Sequence, residues 1–156
     1  ARQDPIFART DGREKGRDGC RVPMPWTTDS ANLNGFSNSS SVKSWMPQPE
    51  AWGTFSVESQ DDDCSSMLAL YRQALSYRVD IVKQGEVIEF VGDGTDGLFS
   101  FTRGSYAVVV NTSADAVEIP QEIMVGRALI LGSQTGVVSK VEGASFIAGN
   151  SAVWLG

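Results

Sequence analysis

A mixed fold is what the sequence predicts: a long irregular segment and one helix, followed by a small antiparallel β-sandwich. Three observations predict it. Residues 1–62 hold five of the six prolines and three of the four tryptophans, with almost no two- or 3.6-residue periodicity, so this stretch reads as connected loops. Residues 64–78 repeat apolar side chains at helical spacing. Beyond residue 79 the chain breaks into short β-prone runs separated by glycine.

Structureless connections longer than about 12–15 residues are uncommon inside a compact domain, so the first segment reads as a surface belonging to a larger body. Trp26, Phe36, Trp45 and Trp52 need something to pack against. In the helix, Met67 and Leu68 with Tyr71 and Leu75 form one apolar face, and Arg72 and Arg78 fall toward the C-terminal half, where positive charge is favoured. The carboxylates of Asp61-Asp62-Asp63 suit the unpaired N–H groups of a helix start, which is the reading taken over metal binding. Strands are expected at residues 86–91, 98–102, 106–111, 117–119, 128–131, 137–141 and 152–155. Gly92-Asp93-Gly94, Thr95-Asp96-Gly97, Arg103-Gly104-Ser105, Gly132-Ser133 and Gly143 supply the turn chemistry between them. Asp93-Gly94-Thr95-Asp96-Gly97 lacks the further acids and distant glutamate of a calcium loop, and reads as a hairpin turn. About 70 residues is a small core, so docking of the sheet onto the helix is expected.

Composition excludes several classes. At 41% hydrophobic and 21% charged the chain is neither disordered nor membranous. A net charge of −6 and a pI near 4.6 argue against nucleic acid or an anionic membrane as partner, since both demand a basic face. No run approaches the length of a spanning helix. Ala1-Arg2-Gln3-Asp4-Pro5 has neither the apolar core nor the cleavage pattern of a signal peptide, and the missing initiator methionine fits a truncated start. Without any histidine, Ser-His-Asp and Cys-His nucleophiles and most zinc sites are removed, and no metal or cofactor is expected. Cys20 and Cys64 read as reduced and buried, and the location as cytoplasmic. Asn38-Ser39-Ser40 and Asn111-Thr112-Ser113 match the glycosylation pattern, but with no export signal they receive no role.

The chemistry concentrates in Gly16-Arg17-Asp18-Gly19-Cys20-Arg21-Val22-Pro23-Met24-Pro25-Trp26, a segment that neither helix nor strand patterning explains. Pro23 and Pro25 fix the backbone around Met24 and Trp26. Arg17 and Asp18 form an adjacent charge pair that reads as a loop brace. Asp4, Asp11, Glu14 and Asp18 lie near the loop, yet they are poor candidates for the two facing carboxylates that glycoside hydrolysis uses.

This segment resembles the G-R-D-G-C-R-x-P-M-P-W run of the α-amylase family of glycoside hydrolases (family 13), in the α-glucosidase and oligo-1,6-glucosidase branch. The likeness continues through Gly35-Phe36-Ser37, Trp45-Met46-Pro47-Gln48-Pro49, Trp52-Gly53, Val57-Glu58-Ser59-Gln60 and the run from Ser66 to Arg78. It extends more loosely through Val108-Val109-Val110-Asn111-Thr112-Ser113 and Ser151-Ala152-Val153-Trp154-Leu155. The Cys20-Arg21-Val22-Pro23-Met24-Pro25-Trp26 form is more similar to an α-glucosidase subgroup than to the oligo-1,6-glucosidase type, which tends toward Ala-Arg-Thr-Pro-Met-Gln-Trp.

The resemblance implies that residues 1–78 are the end of a catalytic (β/α)8 barrel, carrying a substrate loop and the last helix, and that residues 79–156 are the C-terminal all-β domain. It implies an α-glucoside, or a malto- or isomalto-oligosaccharide, as the partner of the parent enzyme, and a missing N-terminal barrel as the partner of the chain. Arg21 would hold a hydroxyl of the terminal glucose, a task suited to a planar guanidinium fork. Its plain alternative is an ion pair with Asp18. Arg17 and Trp26 complete the candidate substrate-binding set, with loop bracing and packing as their plain alternatives. No catalytic carboxylate is assigned, because the family's nucleophile and acid belong to earlier strands. The chain is therefore expected to be inert by itself, as the C-terminal fragment of a retaining α-glucosidase. A non-catalytic carbohydrate-binding or interaction module, built on the tryptophan-rich half, is the alternative.

Overall fold

The computed structural model describes residues 2–92, 94 and 97–156, and the chain divides into two compact units, Ala1–Ala69 and Leu70–Gly156.

The first unit is held by hydrogen bonds more than by an apolar core. Apart from Met46 and Pro25, its buried residues are polar: Asp18, Asn34, Ser56 and Ser66. Helix α1 spans Pro5–Arg9, with Asp4 as N-cap accepting from the Ile6 N–H and Pro5 in the first turn, where no backbone donor is needed. Tight 3-10 turns follow at Asp18–Arg21, Ser30–Asn32 and Glu50–Phe55. Helix α2, Val57–Asp61, is capped by the buried Ser56 hydroxyl, which accepts from the Ser59 N–H. A segment this poor in repeating pattern folds locally, through caps and side-chain-to-backbone bonds.

Helix α3 spans Met67–Val82, three residues later than the sequence suggests. The start is set by Ser66, whose hydroxyl accepts from the Ala69 N–H at 3.1 Å, while the Gln60 side chain accepts from the Leu68 N–H at 3.2 Å. Asp63 spends its carboxylate on the N–H and hydroxyl of Ser65, so this carboxylate shapes the turn before the helix, and Ser66 supplies the cap. Met67, Tyr71, Leu75 and Val79 recur at four-residue spacing along α3, and all are more than half exposed.

The second unit contains two antiparallel sheets. One has the order β1-β2-β3-β8-β5 and the other β4-β7-β6. Their strands are β1 Glu89–Val91, β2 Leu98–Arg103, β3 Tyr106–Asn111, β4 Val117–Glu118, β5 Leu129–Gly132, β6 Val138–Val141, β7 Ala144–Ile147 and β8 Ser151–Leu155, with a short helix, α4 Gln121–Met124, between β4 and β5. The core combines Ala107 and Val109 of β3, Val153 and Leu155 of β8, Ile147 of β7, and Ile119, Ile123 and Val137, so residues of both sheets share it. Alternation explains the selection: along β3 residues 107, 109 and 111 are buried and their neighbours half-buried.

Asn111 ties the two sheets together. Its amide donates to the carbonyls of Asp115, Ile147 and Ala148, and its carbonyl accepts from the Ser113 N–H and hydroxyl. At 1% exposure, this asparagine has no surface to offer a glycan. On the opposite face of the larger sheet, Phe90 and Phe99 each meet Phe101 edge to face and lie tilted to one another, with centroids 5.4 to 6.2 Å apart. The sheet is tied to the end of α3 by Arg103, whose guanidinium donates to the carbonyls of Gly85 and Val82.

Several elements differ from expectation. The first strand begins at Glu89 because pairing with β2 starts there, which leaves Val87 and Ile88 exposed. Strand β7, Ala144–Ile147, pairs with both β4 and β6, where the sequence reading places no strand. Both cysteines are free, as expected, but exposed where burial was expected. Residues 93, 95 and 96 of the expected Asp93-Gly97 hairpin turn lie outside the described residues.

Candidate functional site

Two aspartates close the loop that carries the arginines. Asp18 is buried, and its Oδ2 accepts from the backbone N–H groups of Gln3 at 2.7 Å and Asp4 at 3.1 Å. Asp4 answers in the other direction: Oδ1 accepts from the Ile6 N–H at 3.1 Å, and Oδ2 from the Arg17 N–H at 2.9 Å. Each carboxylate thus fastens the backbone near the other. Gly16 permits the approach, because it sits at φ +69° and a Cβ there would come within 2.6 Å of Asp4 Cβ and Cγ.

Arg21 leans on this frame. Its Nη1 donates to Asp4 Oδ2 at 3.0 Å and lies 3.6 Å from Asp18 Oδ1, an oxygen with no hydrogen-bond partner among the described residues. The expected ion pair with Asp18 exists, but Asp4 is the nearer and better-aligned partner. Nε and Nη2 of Arg21 make no hydrogen bond among the described residues, and its side chain is 46% exposed. The adjacent Arg17 and Asp18 do not pair with each other; Arg17 braces the loop through its backbone N–H, leaving an exposed side chain.

Downstream, the strip to residue 28 is pinned from three sides. The Gln48 amide donates to the Pro23 carbonyl, the N–H groups of Trp26 and Thr27 donate to Asn34 O at 2.7 and 2.9 Å, and the Glu58 N–H donates to Trp26 O. Glu58 Oε2 accepts from both the N–H and the hydroxyl of Thr28 at 2.7 and 2.8 Å. These two bonds hold the Glu58 carboxyl below its usual range. The Arg17 and Ile6 N–H groups, and then the Arg21 charge, do the same for Asp4.

Arg21 lines two clefts. One, of about 660 Å³, is shared with Asp4, Lys15 and Arg17. The other, of about 380 Å³, is shared with Cys20, Met24, Phe36 and Trp45. Arg17 and Arg21 are therefore brought together, whereas Trp26 lines neither cleft and is half exposed farther along the strip. Asp4, passed over in the sequence as a poor catalytic carboxylate, is the hub of the site, and its signal was the Asp-Pro pair of a helix start. As an acid that stays ionised it is unsuited to protonating a leaving group, which requires a raised pKa. Among the described residues no group of three or more His, Cys, Asp or Glu side chains is placed to hold a metal, and no helix is long and apolar enough to cross a membrane. What the loop can do is present the free edge of a guanidinium to an acceptor oxygen of a ligand.

Residues 2–85 match the catalytic domain of the α-amylase family. The α-glucosidase MAL12 of Saccharomyces cerevisiae is 32% identical over 139 residues, covering 80% of this chain and 23% of its own. A probable α-glucosidase of Rhizobium meliloti is 37% identical over 103 residues, covering 65% of this chain and 17% of its own. The crystal structure of the α-glucosyl transfer enzyme XgtA superposes with a TM-score of 0.72 at 27% identity, over 98% of this chain and 28% of that one. The chain thus spans about a quarter or less of the length of the two α-glucosidases.

Proposed function

The chain belongs to the α-amylase family of glycoside hydrolases, and on that premise we propose that it is the C-terminal portion of a retaining α-glucosidase that releases terminal α-linked glucose from malto- or isomalto-oligosaccharides. The observation that carries the proposal is Arg21, anchored at one nitrogen and open at the others, on a loop that lies within the family match. In this reading Arg21 donates to a hydroxyl of the terminal glucose, Arg17 borders the same cleft, and Trp26 belongs to the surrounding wall. Residues 1–78 complete a (β/α)8 barrel, and residues 79–156 form a β-sandwich that stabilises it.

The chemistry of the whole enzyme is then a double displacement, in which one carboxylate attacks the anomeric carbon and a second protonates the leaving oxygen. Both carboxylates come from a barrel portion N-terminal to this chain. The apolar side chains left uncovered support that arrangement: Met67, Tyr71, Leu75 and Val79 on α3, and Phe90 and Phe99 on the sheet, are all 45% or more exposed. The two free cysteines suit the cytoplasmic location that goes with the proposal.

Phe36 and Trp45, exposed beside Arg21 in the smaller cleft, favour one other reading, a non-catalytic carbohydrate-binding module. Hydrolysis of p-nitrophenyl α-glucoside separates the two. We expect no turnover by the 156-residue chain, and turnover with retained anomeric configuration by the product of its complete coding sequence. An inactive complete product would leave the binding module as the better account.

A further inference from the structure

We infer that Asp4 is a positioning residue for Arg21, fixing one nitrogen of the guanidinium so that its remaining edges stand ready for the glucose hydroxyl. The inference rests on the proposed role of Arg21 as a sugar contact and adds to it the group that sets its geometry.

Asp4 is equipped for this because its carboxylate has no freedom left. Oδ1 is taken by the Ile6 N–H, and Oδ2 by the Arg17 N–H and by Arg21 Nη1, with the side chain only 11% exposed. A carboxylate held by two backbone donors cannot turn to follow a mobile arginine, so the arginine must conform to it. The guanidinium is planar and rigid, and fixing one nitrogen narrows the directions open to the other two. Those two, Nε and Nη2, are the ones left without partners among the described residues.

Asp18 stands one step behind. Its Oδ2 holds the backbone N–H of Asp4 and of Gln3, so a buried carboxylate orients the residue that orients Arg21. The longer 3.6 Å approach of Asp18 Oδ1 to Nη1 supplies attraction without a competing hydrogen bond. The lowered pKa of Asp4, caused first by the Arg17 N–H and next by the Ile6 N–H, keeps the anchor charged across the working range of a hydrolase.

The test is a double-mutant cycle in the enzyme made from the complete coding sequence, with p-nitrophenyl α-glucoside as substrate. Asn keeps the shape of Asp4 and one acceptor oxygen but turns an NH2 toward one set of these donors, so the folding of each variant is checked by its melting temperature and the cycle with Arg21 isolates the coupling. A contact made equally in ground and transition states acts through KM, so Asp4→Asn should raise KM about tenfold and change kcat less than about threefold. On an Arg21→Ala background the same substitution should do almost nothing, within about twofold. Penalties that multiply in the double variant would show that Asp4 merely braces the loop, overturning the inference, as would an unchanged KM in Asp4→Asn. If Arg21→Ala itself leaves KM unchanged, the sugar-contact reading fails first and the positioning role falls with it.

Discussion

Replacing Asn111 tests whether one buried polar side chain holds the two sheets together. Its amide has two hydrogens, shared among three carbonyls, and its oxygen accepts two bonds, so about four hydrogen bonds operate at once. At about 1 kcal/mol net for each bond, Asn111→Ala should cost about 4 kcal/mol, a large share of the stability of a small domain. Native-state hydrogen exchange at the amides of Val109 and Val153, in the shared core, measures it directly, and protection should fall roughly a thousandfold. Asn111→Asp is the sharper variant. A carboxylate there would face three carbonyl oxygens in a buried setting, which raises its folded-state pKa above the unfolded value. Its penalty is therefore largest at neutral pH and shrinks as the pH falls, disappearing below about 3, where both states are protonated. A loss below about 1 kcal/mol for Asn111→Ala, or a penalty for Asn111→Asp that grows on acidification, would refute the reasoning.

Gly16→Ala should loosen the aspartate frame by about 1–3 kcal/mol, because it strains a positive φ and drives a methyl into Asp4; faster exchange of the Arg17 N–H, with core exchange unaltered, is the expected sign. Glu58 titrates below its usual 4.5 because of its Thr28 bonds, so its contribution is complete above that pH and lost as the pH falls through the lowered value. Glu58→Gln should accordingly weaken the protein at pH 7 and make no difference in strong acid; a deficit that persists in acid would point to lost packing instead. Leu75→Glu on the exposed face of α3 should shift the melting of the 156-residue chain negligibly and that of the complete enzyme by several degrees, since only there would a charge be buried. Equal small shifts in both would argue that nothing covers this face.

Legibility in the sequence followed where the information physically resides. Strand β3 was readable to the residue because Tyr106–Asn111 alternates between core and outer face, and β8 to within one residue for the same reason. Helix α3 was displaced because a serine hydroxyl at residue 66, two residues inside the expected start, competes with three carboxylates for the cap, and their relative reach is a matter of geometry. Strand β7 escaped because its identity comes from pairing with β4 and β6 across the chain. The arginine loop was conspicuous by composition and by family resemblance. The Asp4 to Asp18 exchange was not, since it joins residues 14 positions apart through backbone donors that no side-chain pattern announces. The apolar face of α3 was legible as a face, but its exposure was not, since helical spacing fixes which residues share a face and says nothing of what packs on it.

The central claim, that Arg21 is a sugar-contact arginine of an α-glucosidase, is tested most directly by the KM of the complete enzyme for p-nitrophenyl α-glucoside, with and without Arg21→Ala. Loss of a charge-assisted hydrogen bond to the terminal glucose predicts a rise of about 10- to 100-fold in a variant that still folds. A KM within about twofold of the unaltered enzyme would contradict the account and return Arg21 to the role of a loop fastener.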